Sequence, residues 1–133
     1  MNNGYLLDTS ICVYLFRGNR DVMLRLNEIG FEQCFICDVV LAELRYGAFA
    51  SNYVEDNLKM IDDFTKEVLV LPFADSIDVY AKEKLRLKSE GKPIEDFDLL
   101  IGCAAKASGL TMVTHNIKHF DHIEGLVIED WIR

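Results

Sequence analysis

Asp8, Glu43, Asp98 and Asn116 stand where polar groups are costly unless they are used. Asp8 closes the short apolar run Gly4-Tyr5-Leu6-Leu7, and Glu43 is enclosed by Leu41-Ala42-Glu43-Leu44. Asp98 falls in the first turn of a segment rich in small and apolar residues, and Asn116 follows the run Leu110 to Thr114 by two residues. Acids gathered in one cleft repel one another and lose hydration unless cations neutralise them. Mg²⁺ and Mn²⁺ favour such oxygen ligands and leave coordination positions to water and phosphate. A bound ion of this kind lowers the pKa of water and stabilises the oxygens of a phosphodiester under in-line attack. With no candidate covalent nucleophile nearby, the set points to metal-assisted phosphodiester hydrolysis. Each residue also has a structural reading: Asp8 as a helix cap, Asp98 at the positive end of a helix dipole, Glu43 in a surface ion pair, Asn116 in a turn. From spacing alone, a nuclease is one of several phosphate chemistries.

Strands alternating with helices would bring these residues together. Gly4 to Asp8 reads as a buried strand, followed by a cap at Ser10 or Thr9 and a helix from Ile11 to Phe16 closed by Gly18. An amphipathic helix spans Asp21 to Ile29 and stops at Gly30. Cys34 to Cys37 is a second strand; Asp38 caps a helix from Val39 to about Ala50, and another runs from Val54 to about Lys66 with Val54, Leu58, Ile61 and Phe64 at helical spacing. Val68 to Leu71 is a third strand stopped by Pro72, and a long helix covers Asp75 to Ser89. Asp96 opens a small-residue helix that ends at Gly109, suited to close packing on the sheet. Leu110 to Thr114 and Leu126 to Ile128 are the last strands. The pattern is α/β, with about five strands in a mostly parallel sheet flanked by helices. Sites in such sheets form beyond the strand carboxyl ends where strand order reverses.

Composition narrows the alternatives. A chain of 133 residues fits one domain, 1–133, with a real core. No apolar run is long enough to span a bilayer, and Met1-Asn2-Asn3-Gly4 leads into no signal segment, so a cytoplasmic protein without membrane contact is expected. Cys34 and Cys37 lie three apart on a strand and face opposite sides, so they read as core thiols rather than partners of His115, His119 and His122 on zinc. The net charge of -8 argues against a passive nucleic-acid binder with a basic face. It is compatible with an enzyme that holds cations and meets RNA through a few Lys and Arg side chains. Asp8 as a phosphatase nucleophile is disfavoured because Ser10 stands where a second aspartate is needed. No Gly-rich phosphate cradle follows any strand.

Four segments, in order, resemble the motifs of PIN domains and most specifically of VapC-type toxins: Leu6-Leu7-Asp8-Thr9-Ser10-Ile11, Val40-Leu41-Ala42-Glu43-Leu44-Arg45-Tyr46-Gly47, Pro93 to Gly102 around Asp98, and Gly109 to Asn116 followed by Phe120. The ending Gly125 to Trp131 is similar as well, so the resemblance covers nearly the whole chain. It implies a single PIN domain acting as a metal-dependent endoribonuclease, the toxin of a type II toxin–antitoxin pair, that hydrolyses tRNA or ribosomal RNA by metal-activated water. By resemblance, Asp8 and Asp98 hold Mg²⁺ or Mn²⁺, Glu43 contributes directly or through water, and Thr9 and Thr114 fix the carboxylates. Asn116 stands where many PIN domains have aspartate, which implies one tight ion and leaves a second open. It also keeps alive a degenerate PIN domain that binds RNA or protein without cleaving. Asp121 lies nearby but does not match the motif; Asp96 either joins the cluster or caps its helix, capping being the preferred reading. The resemblance further implies a homodimer and a VapB-type antitoxin whose tail lies near the site, with an Arg suited to this acidic chain. Tyr14, Leu15, Phe16, Phe49 and Tyr53 would supply apolar contacts for that tail. Arg17, Arg45, Lys82 and Arg86, with Lys84, Lys88 and Lys92, are candidates for RNA backbone contacts, or a solvated helix face.

Overall fold

A computed structural model describes residues 4–133. The expectation about a signal segment concerns residues 1–3 and lies outside the described residues. Five strands, β1 (Tyr5–Leu7), β2 (Cys34–Cys37), β3 (Leu69–Leu71), β4 (Thr111–Val113) and β5 (Ile128–Glu129), form one sheet in the order β3-β2-β1-β4-β5. Every pairing is parallel. The described helices are α1 (Thr9–Phe16), α2 (Arg20–Ile29), α3 (Asp38–Phe49), α4 (Val54–Glu67), α5 (Ile77–Ser89) and α6 (Asp96–Ser108). Chain order runs outward from β1 through β2 to β3, then jumps back to β4 on the other side of β1. The carboxyl ends of β1 and β4 therefore flank the reversal point.

Helices on a parallel sheet leave central strands no solvated face, so they are apolar throughout. Leu6 and Leu7 of β1, Met112 and Val113 of β4, and Cys34, Ile36 and Cys37 of β2 are fully buried accordingly. All four cysteines are buried and unpaired, and burial raises their thiols, those of Cys34 and Cys37 to about 11. Core thiols, as the alternating strand geometry requires, is the correct description. Among the described residues no helix is long and apolar enough to cross a membrane.

Several element ends differ from the sequence expectation, most of them through a competing hydrogen bond. Asp8, not Thr9 or Ser10, caps α1: its Oδ1 accepts from Ile11 N at 2.9 Å, which lets the helix begin at Thr9. Asp38 lies inside α3 instead of capping it, because its carboxylate accepts from Phe73 N at 3.1 Å and so ties α3 to the turn after β3. That turn, Phe73–Ser76, is 3₁₀, so α5 starts at Ile77 rather than Asp75. Glu95 caps α6 in place of Asp96, whose carboxylate is drawn to Lys84 Nζ at 2.9 Å and Tyr80 Oη at 3.2 Å. Asp96 thus neither caps nor joins the acidic set. The last strand is shifted to Ile128–Glu129 because Leu126 is still in the turn, its N–H bonded to Ile123 O.

α6 lies on the sheet as its small residues suggest. Ile101, Cys103, Ala104 and Ala105 are buried, and Gly102 makes room for the chain that follows β4. A Cβ at Gly102 would meet Ile123 Cδ1 and stand 3.2 Å from Phe120 Cδ1. Phe120, almost fully buried, is thereby seated against α6 and holds the 3₁₀ turn Ile117–His119 over the amino end of that helix.

Candidate active site

Asp8 is extended at the end of β1 (φ -78°, ψ 173°), with its backbone N–H bonded to Val113 O at 3.0 Å. That bond continues the β1–β4 ladder by one residue and sets Asp8 opposite Thr114. The carboxylate is 4% exposed, yet it is held from three directions. Oδ1 accepts from Ile11 N and from Ser10 Oγ (2.7 Å), and Oδ2 accepts from Thr114 Oγ1 at 2.5 Å. A carboxylate offers about four lone pairs, so one on Oδ2 stays uncommitted. Burial raises the Asp8 carboxyl pKa, against the pull of those donors and of the nearby His119.

Thr114 is fully buried; its hydroxyl donates to Asp8 and accepts from Asn116 N at 2.9 Å. It thus fixes the Asp8 rotamer and the path of the chain toward Asn116 together. Replacing it with valine removes the donor and leaves the Asn116 N–H without this acceptor. Thr114→Val is expected to lower metal-dependent cleavage by about 10- to 100-fold, the usual effect of losing a group that orients a ligand, with circular dichroism unchanged.

Three further elements complete a cavity of about 300 Å³ lined by Asp8, Thr9, Ser10, Glu43, Asp98, Ile101, Asn116 and His119. Glu43 reaches it from α3, with Oε1 accepting from Thr9 Oγ1 at 2.6 Å. Asp98 reaches it from the first turn of α6, and its Oδ2 lies 3.1 Å from His119 Nδ1. Burial raises the Asp98 carboxyl; His119 opposes this, while Glu95 and Glu43 add to it. No Lys or Arg lines the cavity.

These donors fit a hard divalent cation. Three carboxylates from different elements face one small space with no Lys or Arg between them, His119 being the one nitrogen base at its edge, and burial already penalises the charge on two. Among the described residues no three acidic, His or Cys side chains close tightly enough to enclose an ion by themselves. Carboxylate oxygens are the donors that Mg²⁺ and Mn²⁺ take, one or two at a time together with waters and substrate oxygens.

The residues predicted from sequence divide clearly. Asp8, Thr9, Glu43, Asp98 and Asn116 line one cavity, with Thr114 directly behind Asp8. Asp121 does not line it. His119 was not singled out for this cavity, although its position carried a signal. It follows Asn116 by three residues, and side chains three apart eclipse in a 3₁₀ turn. The basic candidates lie elsewhere. Arg45 pairs with Asp62 at 3.1 Å, and Arg86 is bound to Glu83, Glu90 and the His122 carbonyl. Arg17 and Lys82 are exposed without an ion-pair partner among the described residues.

A second hollow of about 340 Å³ adjoins the acidic one, sharing Thr9 and Glu43. It runs between α1, α3 and α4, with Val13, Phe16, Met60 and Ile61 as apolar walls and Arg17 also lining it. Of the five apolar residues expected to form a groove, only Phe16 lines this one. Tyr14 packs edge-on against His115, and Phe49 and Tyr53 stand out in solvent.

The PIN-domain family model matches residues 5–126. The chain is 35% identical over 135 residues to Ribonuclease VapC2 of Rickettsia felis, a match covering 96% of this chain and 97% of that one. It is 33% identical over 129 residues to the tRNA(fMet)-specific endonuclease VapC of Shigella flexneri, covering 96% and 97%. Among solved structures it is similar to a chain of DNA-bound VapBC from Salmonella typhimurium, with a TM-score of 0.91, 29% identity and coverage of 98% and 99%.

Proposed function

The chain belongs to the PIN-domain family, and from that premise we propose that it is a metal-dependent endoribonuclease of VapC type, the toxin of a toxin–antitoxin pair. One observation carries this reading: Asp8, Glu43 and Asp98, from three separate elements, meet at the sheet's reversal point in a cavity that no Lys or Arg lines among the described residues. Asp8 and Asp98 would hold Mg²⁺ or Mn²⁺, with Glu43 binding directly or through water. The ion would supply positive charge to the scissile phosphate and lower the pKa of a water beside it. Thr114, Ser10 and the α1 amino end hold the Asp8 carboxylate in one orientation, and Thr9 does the same for Glu43. Asn116 offers the cavity a neutral amide that can accept or donate a hydrogen bond.

The hollow beside the cavity suits the tail of a VapB-type antitoxin. Its apolar walls would take the tail's side chains, and the acidic cavity at its end would take a basic one. Tyr46, Phe49 and Tyr53, 76%, 61% and 71% exposed at the end of α3 and just beyond, offer further apolar contact to that partner. A homodimer in the cytoplasm, where its RNA substrates are, completes the reading; of the basic candidates, Arg17, Lys82, Lys88 and Lys92 are exposed and in no ion pair among the described residues, and so are left for an RNA backbone.

The test is incubation of antitoxin-free protein with total tRNA and ribosomal RNA, with Mg²⁺, with Mn²⁺, and with EDTA. Transfer RNA is the first pool, given the Shigella relative's name. Discrete fragments are expected with either ion and none in EDTA, with cutting restored when the ion is returned in excess. Fragments that persist in EDTA would reject the metal-dependent mechanism. Metal binding without cutting in any pool would favour the non-cleaving PIN domain, for which the neutral Asn116 is the supporting feature.

A further inference from the structure

His119 is the one imidazole among the oxygens of the cavity. Its place there is built: Phe120, buried against Gly102, anchors the 3₁₀ turn, and His119 N–H bonds Asn116 O at 2.9 Å. The ring itself is about half exposed, with Nδ1 3.1 Å from Asp98 Oδ2. Two ligands at right angles on an octahedral ion, each about 2.1 Å from it, stand about 3.0 Å apart. The Asp98–His119 contact thus already has the spacing of neighbouring ligands. Oxygen ligands alone suit Mg²⁺, whereas imidazole nitrogen adds affinity chiefly for first-row transition ions and does little for Mg²⁺.

We propose that His119 Nδ1 joins Asp98 as a ligand and makes this a mixed nitrogen–oxygen site that selects first-row transition-metal cations over Mg²⁺. The inference rests on the metal-site reading above and adds to it a ligand and a selectivity. It makes the site's departure at Asn116 intelligible as well: the anionic donor withheld there gives way, three residues on, to a nitrogen donor that only some ions use well.

Calorimetric titration of the metal-free protein with MnCl₂, CoCl₂ and MgCl₂ tests it, alongside the visible spectrum of the Co²⁺ form. Wild type, His119→Ala, His119→Gln and Asp98→Asn are compared, folding being checked by thermal melts. The His119 ring is half exposed, so its replacement leaves the core packing in place. The expected result is that both His119 variants lower the Mn²⁺ and Co²⁺ affinities at least about tenfold, leave Mg²⁺ within about twofold, and shift the Co²⁺ bands. Asp98→Asn should weaken all three ions. If Asp98→Asn weakens all three but the His119 variants leave the transition-metal preference and the Co²⁺ spectrum unchanged, the ligand role of His119 is overturned and the metal site stands. The same holds if the His119 variants bind every ion more tightly, since the histidine then only competes with metal for Asp98. If Asp98→Asn leaves binding intact, the metal-site reading and this inference fail together.

Discussion

Asp98→Asn is expected to lower RNA cleavage by roughly 10²- to 10⁴-fold, since a metal ligand contributes several kcal/mol to the transition state and each 1.4 kcal/mol is about tenfold. The same change should make the metal-free protein more stable. Burial is the main reason the Asp98 carboxyl pKa is raised, with Glu95 and Glu43 adding repulsion and His119 only partly offsetting them. A raised carboxyl binds its proton more tightly in the folded chain than in the unfolded one. Its stabilising contribution is therefore present below the unfolded carboxylate pKa and is lost as pH rises through the folded value. At neutral pH the ionised group costs stability, and an amide of the same shape does not. In EDTA at pH 7 the variant should melt a few degrees above wild type. The gap should close as pH falls below the carboxylate range, and wild type should recover with saturating Mn²⁺, because a ligand that binds only the folded state stabilises it. Melting curves at pH 4 and pH 7, with and without Mn²⁺, check both signs. A variant that melts lower in EDTA at pH 7 would mean that Asp98 is held for structure rather than for an ion.

The carboxylates were legible because each breaks a local pattern: an acid ending an apolar strand, an acid inside an apolar helix, an acid opening a helix of small residues. The alternation of strands and helices likewise made the parallel sheet legible. Its order was not, because nothing in β1 or β4 alone records that they are neighbours; the register Leu7 to Val113 arises from the whole packing. The structural and functional readings of Asp8 also proved compatible. One oxygen caps α1 while the other carries the uncommitted lone pair, which spacing alone could not divide between them. His119, weighed in the sequence only as a zinc partner of the cysteines, is not assigned to the cavity for the opposite reason. It interrupts no apolar run and reaches the cavity only through the 3₁₀ turn that Phe120 and Gly102 hold against α6. Arg86 shows the same limit for charge, since a basic residue on a helix looks alike whether it meets RNA or a buried acid.

That acid is Glu83, 5% exposed on α5. Arg86 grips both of its oxygens at 2.9 Å, Glu124 N donates to it at 3.0 Å, and Lys106 Nζ lies 3.6 Å away. The Arg86 hydrogen bonds are the largest cause of a Glu83 carboxyl lowered from 4.5 to about 2, against the opposing effect of burial. Arg86 also donates to His122 O at 2.8 Å, so the pair fastens the loop after the 3₁₀ turn to α5. Arg86→Ala strands a buried carboxylate with Lys106 and one backbone donor. Breaking a buried pair from one side costs about 3–5 kcal/mol when nothing remains; with Lys106 and Glu124 N still present, about 2–3 kcal/mol is expected, or roughly 10 °C in melting temperature. The sign with pH is opposite to that of Asp98. A lowered carboxyl gives stability that is present above its unfolded pKa and is lost as pH falls toward the folded one. The deficit of Arg86→Ala should therefore be full at pH 7 and shrink below about pH 4, and Glu83→Gln in the same chain should recover part of it by removing the stranded charge. RNA affinity and its salt dependence, measured below the variant's melting range, should be unchanged. Arg86→Ala that melts like wild type but binds RNA with a shallower salt slope would return Arg86 to the phosphate backbone.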